Sequence, residues 1–316
     1  MERKAPIDLG NRIHLIDGFD LQTPGRTGTY VIQEEQLTLI ETGPSPSVKY
    51  VLAGLKDLGL DPADVQYIIL THIHLDHAGG AGLLLQDCPN ATVVVHPRGK
   101  RHLADPSKLI AGARAVYGDI FDELFDPVVP IPEDRLVTKE DGDTLQIGPD
   151  CTLTFYDTPG HAKHHFSIYD PVSNGIFTGD TSGVRYHQTQ DQGLTFYLPT
   201  TSPNQFDPDA MLNAIERFRK LNADRVYFGH FSESTEPEAV YSQVSEWIPR
   251  FVEAGEEALA QGEGVERIKN RLHDKVASYL QENNIPDAHP VYNILKMDFE
   301  VCAQGIADYL NKRDRK

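Results

Sequence analysis

Short apolar runs separated by turn residues make up much of the chain up to residue 230. Runs of this kind, bounded by Gly, Pro, Asn or Asp, predict β-strands. A further short run, Arg225-Val226, lies just before an aromatic pair, a glycine and a histidine. The other predicted strands are residues 13–16, 28–33, 37–40, 65–70, 91–95, 135–138, 144–147, 153–156, 166–169 and 175–177.

Apolar residues at helical spacing lie between these runs and dominate the chain after residue 237. Ser45-Pro46 offers an N-cap and a first helical residue, and Asp207-Pro208 repeats that signature. Residues 78–86 can also form a helix, and residues 97–130 form a predicted helical insertion. Three apolar stripes follow residue 237, and Pro249 predicts a kink in the first of them. Together these elements predict an α+β fold.

The C-terminal stripes determine the domain organisation that we expect. Residues 1–236 form the main domain, with the helical insertion at about 97–130, and residues 237–316 form a helical extension. The stripes must cover an apolar surface, and we expect them to pack on the core. The sequence leaves open a homodimer contact, and it leaves open whether the insertion and the extension line a substrate pocket.

Composition narrows the classes of partner. The net charge of −18, from 47 acidic and 29 basic residues, disfavours binding to a nucleic-acid backbone. Three widely spaced cysteines indicate neither a disulfide framework nor a Cys-x-x-Cys site, and the N-terminus lacks the apolar core of a signal peptide. We therefore expect a cytoplasmic protein that acts on a small molecule, without a nucleic-acid or membrane partner.

Potential metal-binding side chains are most concentrated at residues 71–80, between a predicted strand and a predicted helix. This segment reads Thr-His-Ile-His-Leu-Asp-His-Ala-Gly-Gly. The spacing of His72 and His74 can point both rings to one side of an extended segment. Asp76 and His77 come from the turn into the helix and point elsewhere. One loop can therefore supply ligands to two metal ions. Imidazole and carboxylate suit Zn²⁺, our first choice, and also Fe²⁺ and Mn²⁺.

Three later strand ends each carry one more histidine or aspartate. A glycine comes directly before His161, Asp180 and His230. Glycine at this position allows the tight turn that presents the next side chain at a sheet edge. We therefore expect the strands to deliver these side chains to one rim of the fold.

The ordered set of these residues resembles the metallo-β-lactamase superfamily of metallohydrolases, and in particular its glyoxalase II and lactonase-like branch. The resemblance covers residues 12–232 and implies a four-layer αβ/βα sandwich with two divalent metal ions. The residues that it assigns to the first metal are His72, His74 and His161. Those that it assigns to the second are Asp76, His77 and His230, with Asp180 as the bridge.

One step departs from the family pattern. The family usually has Asp-Thr-Gly near its start, where this chain has Glu41-Thr42-Gly43. The acidic residue supports the ligands in the family and does not bind metal, so only the supporting geometry is in question.

The set of metal ligands that the resemblance assigns implies a hydrolase, in which a hydroxide bridges the two ions. We expect a carboxylic ester, lactone or thioester as substrate; a phosphodiesterase or organophosphate hydrolase on the same metals is the alternative. Asp76 is the catalytic candidate, because it can steer the hydroxide or pass a proton to the leaving group. The substrate-binding candidates, which lie close to ligands in sequence, are Tyr186, Tyr197, His164 and Lys163.

Two other classes of function fit the sequence less well. The family's diiron redox proteins have a glutamate at the position of His74 and a flavin domain, whereas the tail here is short and helical. A binding or sensor protein that lost turnover is disfavoured by the complete ligand set.

Overall fold

The computed structural model describes residues 4–315, which divide into two compact units. The first unit contains the described residues up to Asp157 together with His164–Gly179 and Ala223–Thr235. The second contains Thr158–Lys163, Asp180–Asn222 and the described residues from Glu236 onward. Contacts therefore group residues 180–222 with the C-terminal helices, while a domain boundary at residue 236 stays a prediction.

The strands are numbered along the chain. They are β1 (Ile7–Asp8), β2 (Ile13–Asp17), β3 (Gly28–Ile32), β4 (Thr38–Ile40), β5 (Tyr67–Ile69), β6 (Thr92–Val95), β7 (Leu136–Thr138), β8 (Thr144–Gly148), β9 (Cys151–Asp157), β10 (Phe166–Asp170), β11 (Gly175–Gly179), β12 (Val184–Arg185), β13 (Tyr197–Leu198), β14 (Arg225–Phe228) and β15 (Glu233–Ser234). Every predicted strand overlaps one of these. The strands that the sequence did not predict, β1, β12, β13 and β15, are two residues long, too short to show a period.

The α-helices are numbered in the same way. They are α1 (Val48–Asp57), α2 (Leu75–Ala78), α3 (Ala81–Leu84), α4 (Pro97–Ala104), α5 (Ser107–Tyr117), α6 (Phe121–Phe125), α7 (Pro208–Leu221), α8 (Pro237–Ala260), α9 (Val265–Glu282) and α10 (Val291–Arg313). The helix predicted at 78–86 is two short helices, which Gly79 and Gly80 separate. Pro249 lies inside α8, which continues through it as one helix.

Two sheets form the first unit. The seven-stranded sheet runs in the order β1 to β7, antiparallel from β1 to β4 and parallel from β4 to β7. The six-stranded sheet runs in the order β15-β14-β11-β10-β9-β8, with β11 and β14 as its parallel pair. The seven-stranded sheet places the C-terminal ends of β4 and β5 side by side, and the residues that follow those ends build the candidate site.

Strand periodicity explains how the sheets pack. In β3, Tyr30 and Ile32 belong to a core cluster that also contains Phe155 and Phe177 of the six-stranded sheet. Val31, between them, belongs to a second cluster, which contains residues of α1 and α3. Alternate side chains point to opposite faces of a strand. The first unit is therefore layered as helices, sheet and sheet.

The predicted insertion is helical and has a small core of its own. Phe121 and Phe125 of α6 are buried in a cluster with Leu75, and partly buried residues of α5 pack against it. Leu75 lies between His74 and Asp76 in sequence. The insertion therefore packs directly on the loop that carries the candidate ligands.

The second unit is mainly helical, with the two-stranded sheet β12-β13. Helix α8 contacts α7, α9, α10 and β13. The predicted stripes are its buried faces: Val244, Trp247 and Phe251 in α8, and Phe299 and Ile306 in α10, are buried. Among residues 4–315, none of the helices has the length and apolar character needed to cross a membrane.

Candidate metal centre

The histidine-rich loop follows β5 and leads into α2. His72 is fully buried, His74 is half-buried, and their ring centroids are 4.6 Å apart in an edge-to-face arrangement. The ring of His77 is 4.2 Å from that of His72. As predicted, one loop brings several imidazoles together within the first unit.

Asp76, His77 and His230 form a group that can hold a metal ion. One ligand atom from each lies within 4.8 Å of the other two. The Oδ2 atom of Asp76 is 3.5 Å from Nε2 of His77 and 3.7 Å from Nε2 of His230. His230 follows β14, so the six-stranded sheet supplies this ligand and the seven-stranded sheet supplies the other two.

Glu41 supports this group from the end of β4. Its Oε2 atom is 2.9 Å from Nδ1 of His77, and its Oε1 accepts a hydrogen bond of 2.8 Å from the backbone N–H of Thr71. Since a carboxylate only accepts, His77 carries its proton on Nδ1 and leaves the Nε2 lone pair toward Asp76. The glutamate in place of the family's aspartate therefore contacts both a candidate ligand and the loop that carries it.

The neighbouring residues fix Glu41 against the loop. Glu41 has a left-handed backbone with φ of 65°, an uncommon conformation for a residue other than glycine. Both the N–H and the hydroxyl of Thr42 donate to the carbonyl of His77, at 2.9 and 3.0 Å. Gly80 N–H donates to the carbonyl of Gly43. These bonds hold Glu41 in its strained conformation.

The second unit carries the two remaining predicted ligands. His161 and Asp180 are both buried, and Nε2 of His161 is 3.5 Å from Oδ2 of Asp180. Nδ1 of His161 donates to the carbonyl oxygen of Thr200 over 3.1 Å. As with His77, the hydrogen bond at Nδ1 directs the Nε2 lone pair toward the neighbouring carboxylate.

These donors fit divalent transition metals. Both units present imidazole Nε2 atoms beside carboxylate oxygens, and in both the ring orientation is set by a hydrogen bond at Nδ1. Nitrogen and oxygen donors of this kind suit zinc, iron and manganese. Structural zinc sites are usually rich in cysteine, whereas the cysteines here, Cys88, Cys151 and Cys302, are buried and outside these groups.

The predicted substrate-binding residues lie in different environments. His164 is buried in the first unit, with its ring centroid 5.4 Å from that of His74. Tyr186 and Tyr197 are buried in the second unit, and the Tyr186 hydroxyl donates to Asp298 over 2.8 Å. Lys163 is exposed. Among these four, His164 is the one that the structure places beside a predicted ligand.

Sequence reasoning missed several residues around these groups. Asp20 is buried, and Arg26 Nε lies 3.4 Å from its Oδ2. Burial raises the pKa of Asp20, and the charge of Asp76 raises it further. Thr200 and Ser202, which bond to His161, were also missed. The available signals were an acidic residue, Asp20, between the glycines at 18 and 25, and the Thr-Thr-Ser run at 200–202.

Comparison with known proteins gives one family. The sequence profile of the Metallo-beta-lactamase superfamily matches residues 23–230. A metallo-beta-lactamase fold-containing protein of Sulfurisphaera tokodaii, ST1585, is 30% identical over 223 residues, which is 69% of this chain and 77% of that protein. The crystal structure of ST1585 superposes with a TM-score of 0.64 and 22% identity, covering 93% of this chain and 97% of that one.

The chain is similar to a second kind of protein, the N-acyl homoserine lactonases, over a shorter region. The N-acyl homoserine lactonase AttM of Agrobacterium fabrum is 36% identical over 149 residues, which is 46% of this chain and 52% of that protein. The AttM of Azorhizobium caulinodans is 32% identical over 152 residues, 48% of this chain and 53% of that protein. The chain thus spans about half the length of these lactonases.

Proposed function

Because the chain belongs to the metallo-β-lactamase superfamily and is therefore a hydrolase of the α+β metallo-β-lactamase fold, we propose that it hydrolyses a carboxylic ester, lactone or thioester with two divalent metal ions. The observation that carries this proposal is the group of Asp76, His77 and His230, together with the carboxylate of Glu41 behind His77. Zinc is the proposed metal. The lactonases that share about half their length with the chain support a lactone as substrate.

The proposed ligand roles follow the family motif. His72, His74 and His161 hold the first ion, Asp76, His77 and His230 hold the second, and Asp180 is shared between them. When bound, such ions lower the pKa of water to about 7 and polarise the substrate oxygen.

The protein's own residues have separate tasks in this scheme. Glu41 and Thr200 keep the imidazoles of His77 and His161 in the tautomer that leaves Nε2 free of a proton. The Asp76 side chain is 24% exposed, whereas that of His77 is 1% exposed. A substrate can therefore reach the side chain of Asp76 more easily than that of His77. The Oδ atoms of Asp76 can take up the proton or deliver it to the leaving group.

Charge favours a neutral carbonyl substrate over a phosphodiester. A phosphodiester carries a fixed negative charge, and its binding usually calls for cationic side chains. The protein has a net charge of −18. Arg26 lies beside the carboxylate of Asp20, and Arg185 donates to Gln190 over 2.8 Å. The charge of Arg26 is therefore compensated by a carboxylate within the protein.

One metal-loaded preparation tests the proposal. Lactone, thioester and phosphodiester series are compared by kcat/KM, with Asp76→Asn as the control for contaminating activity. We expect the carbonyl substrates to lead. Phosphodiester turnover ahead by about tenfold, or about 1.4 kcal/mol, and lost in the Asp76→Asn variant would instead establish the phosphodiesterase.

Elemental analysis tests the metal assignment separately. We expect close to two ions per chain in the native protein. Asp180→Ala should lower the content of both sites, whereas His230→Ala should preferentially lose the second. One tightly bound ion in the native protein, unchanged by added metal, would refute the dinuclear centre.

A further inference from the structure

The segment 200–202 holds the candidate ligand His161 at two points. The carbonyl of Thr200 accepts from His161 Nδ1, and the hydroxyl of Ser202 donates to the His161 carbonyl over 2.7 Å. One bond acts on the ring and the other on the main chain. A displacement of this segment would therefore change both the position and the tautomer of the imidazole.

The same segment is fixed by the C-terminal helix α10. The hydroxyl of Thr201 donates to the carbonyl of Cys302 over 2.8 Å. A Cβ atom at Gly305 would lie 2.8 Å from the carbonyl carbon of Thr201 and 2.9 Å from that of Ser202. Both distances are too short for a real contact, so α10 reaches this close only with glycine at position 305.

One face of α10 continues the contact. Tyr309 stacks edge-to-face on Phe206 with ring centroids 5.7 Å apart, and Lys312 donates to the carbonyl of Asn204 over 3.0 Å. The residues Cys302, Gly305, Tyr309 and Lys312 follow the spacing of one helical face. This face therefore supports the whole segment from 201 to 206.

The segment also returns to the residue before the ligand. The N–H of Asp207 donates to the carbonyl of Gly160 over 2.8 Å. Gly160, at φ of 141°, leaves no room for a side chain, since its Cβ would lie 2.4 Å from Cα of Met211 in α7. Residues 160 and 161 are thus held by the chain from 200 to 211.

We propose that Thr201 and Gly305 are positioning residues for the metal ligand His161, and that α10 orients this imidazole through the segment 200–202. The inference rests on the proposed metal role of His161. It gives the C-terminal extension a role in metal binding that is separate from its contribution to stability. Groups that hydrogen-bond directly to a metal ligand typically change metal affinity by about 10- to 100-fold when they are mutated. Thr201 and Gly305 act on such a group, the carbonyl of Thr200, through the main chain.

A pair of variants at Thr201 isolates the hydrogen bond. Thr201→Val removes the hydroxyl and nearly keeps the shape, whereas Thr201→Ser keeps the hydroxyl. Thr189→Val is the matched control, because Thr189 is also a buried threonine of the second unit and donates to the carbonyls of Tyr186 and Leu194. Gly305→Ala tests the close approach of the helix, and His161→Ala gives the effect of losing the ligand itself.

Zinc content and affinity, measured by competition with a chelator, are the readouts, together with the absorption spectrum of the Co²⁺-loaded protein. We expect Thr201→Val and Gly305→Ala to weaken one of the two ions by about 10- to 100-fold and to alter the cobalt spectrum. Thr201→Ser should restore native binding, and Thr189→Val should retain it. If Gly305→Ala does not fold, the Thr201 pair decides.

Two results would overturn the inference in different ways. Native affinity and spectrum in Thr201→Val, with loss in His161→Ala, would remove the role of α10 and leave the metal assignment intact. Native binding in His161→Ala would remove the proposed ligand itself and the inference with it. An equal loss in Thr189→Val would show a general effect of packing, and it would also refute the positioning role.

Discussion

The two units hold their candidate ligands by different means. In the first, His77 is supported by the side-chain carboxylate of Glu41, which projects from the end of a strand in the same sheet. In the second, His161 is supported by a main-chain carbonyl in an irregular segment. That segment is fixed in turn by a helix, through a bond from Thr201 to Cys302. Ligand geometry thus depends on sheet pairing in one unit and on helix packing in the other.

One ion pair from each unit gives a second contrast, in burial. In the first unit, Arg12 forms two hydrogen bonds to Asp170, at 3.1 and 2.9 Å, and the Asp170 side chain is 0% exposed. In the second unit, Arg219 pairs with Glu238, whose side chain is 69% exposed. A charge that is buried depends on its partner far more than one that water can solvate. Of these two pairs, Arg12–Asp170 is therefore the one whose charge should matter more for stability.

The largest effect is expected from removing the three C-terminal helices of the second unit. A chain that ends at Glu236 would lack α8, α9 and α10, and it would uncover apolar residues of α7, including Met211 and Phe218, which are buried in the native protein. Each large apolar side chain contributes about 1.5–3 kcal/mol by burial, so we expect aggregation and loss of bound zinc. Size-exclusion chromatography and zinc content measure this. A soluble, monomeric and fully active product would show that the chain up to Glu236 is stable and active without these helices.

A smaller effect is expected from Asp170→Asn, which removes the buried one of the two carboxylates that pair with Arg12 and leaves Glu34 as the other. Breaking one side of a buried pair costs about 3–5 kcal/mol. Because Arg12 keeps Glu34, we expect no more than the lower value, which corresponds to a fall in melting temperature of at most roughly 6–12 °C at pH 7. Cys151 lies 3.0 Å from Nη2 of Arg12 and offers only a weak acceptor in place of the carboxylate. Thermal unfolding monitored by circular dichroism measures the change.

The same variant predicts a dependence on pH. Burial alone would raise the pKa of Asp170, but hydrogen bonds from Arg12 and Ser173 and the charge of Arg12 lower it below its ordinary value. A carboxylate with a depressed pKa stabilises the fold above the unfolded value of about 3.9 and loses that contribution as the pH falls through its folded pKa. The difference between native protein and variant should therefore be largest at neutral pH and disappear in acid. If the difference in stability between the native protein and the variant did not change with pH, the substitution would act through packing and not through charge.

The next largest effect is expected from Glu41→Gln. The Thr71 N–H and the His77 Nδ1–H approach different oxygens of Glu41, so in the glutamine one of these two donors would face the NH2 group, which cannot accept. We expect about 10- to 100-fold weaker binding of one zinc ion, which corresponds to about 1.4–2.8 kcal/mol. Glu34→Gln is the control, because it changes a carboxylate of the same unit that pairs with Arg12. Equal zinc affinity in the two variants would contradict the supporting role of Glu41.

The sequence predicted the first unit better than the second, for a physical reason. The ligands of the loop at 71–80 are adjacent in sequence, and strand periodicity is visible in β2 to β11. The segment 181–204 has no period, and its hydrogen bonds reach residues such as Cys302, 101 positions away from Thr201. Likewise, Glu41 was recognised only through the family pattern, because its 36-residue separation from His77 carries no local signal. Long-range hydrogen bonds from residues outside regular elements leave no pattern in the chain.

The smallest effect is expected from Glu238→Gln in the second unit. Glu238 closely matches Asp170 in its partners, since it accepts from an arginine, Arg219, and from a serine hydroxyl, Ser242, over 2.8 Å. The bond from Arg219 lowers the pKa of Glu238, yet water solvates most of this carboxylate and screens the pair. We expect a loss of less than about 1 kcal/mol, which falls further in high salt. Thermal unfolding of Glu238→Gln and Asp170→Asn in low and high salt makes the comparison. A loss of stability in Glu238→Gln as large as that in Asp170→Asn would show that burial does not determine how much these two ion pairs contribute.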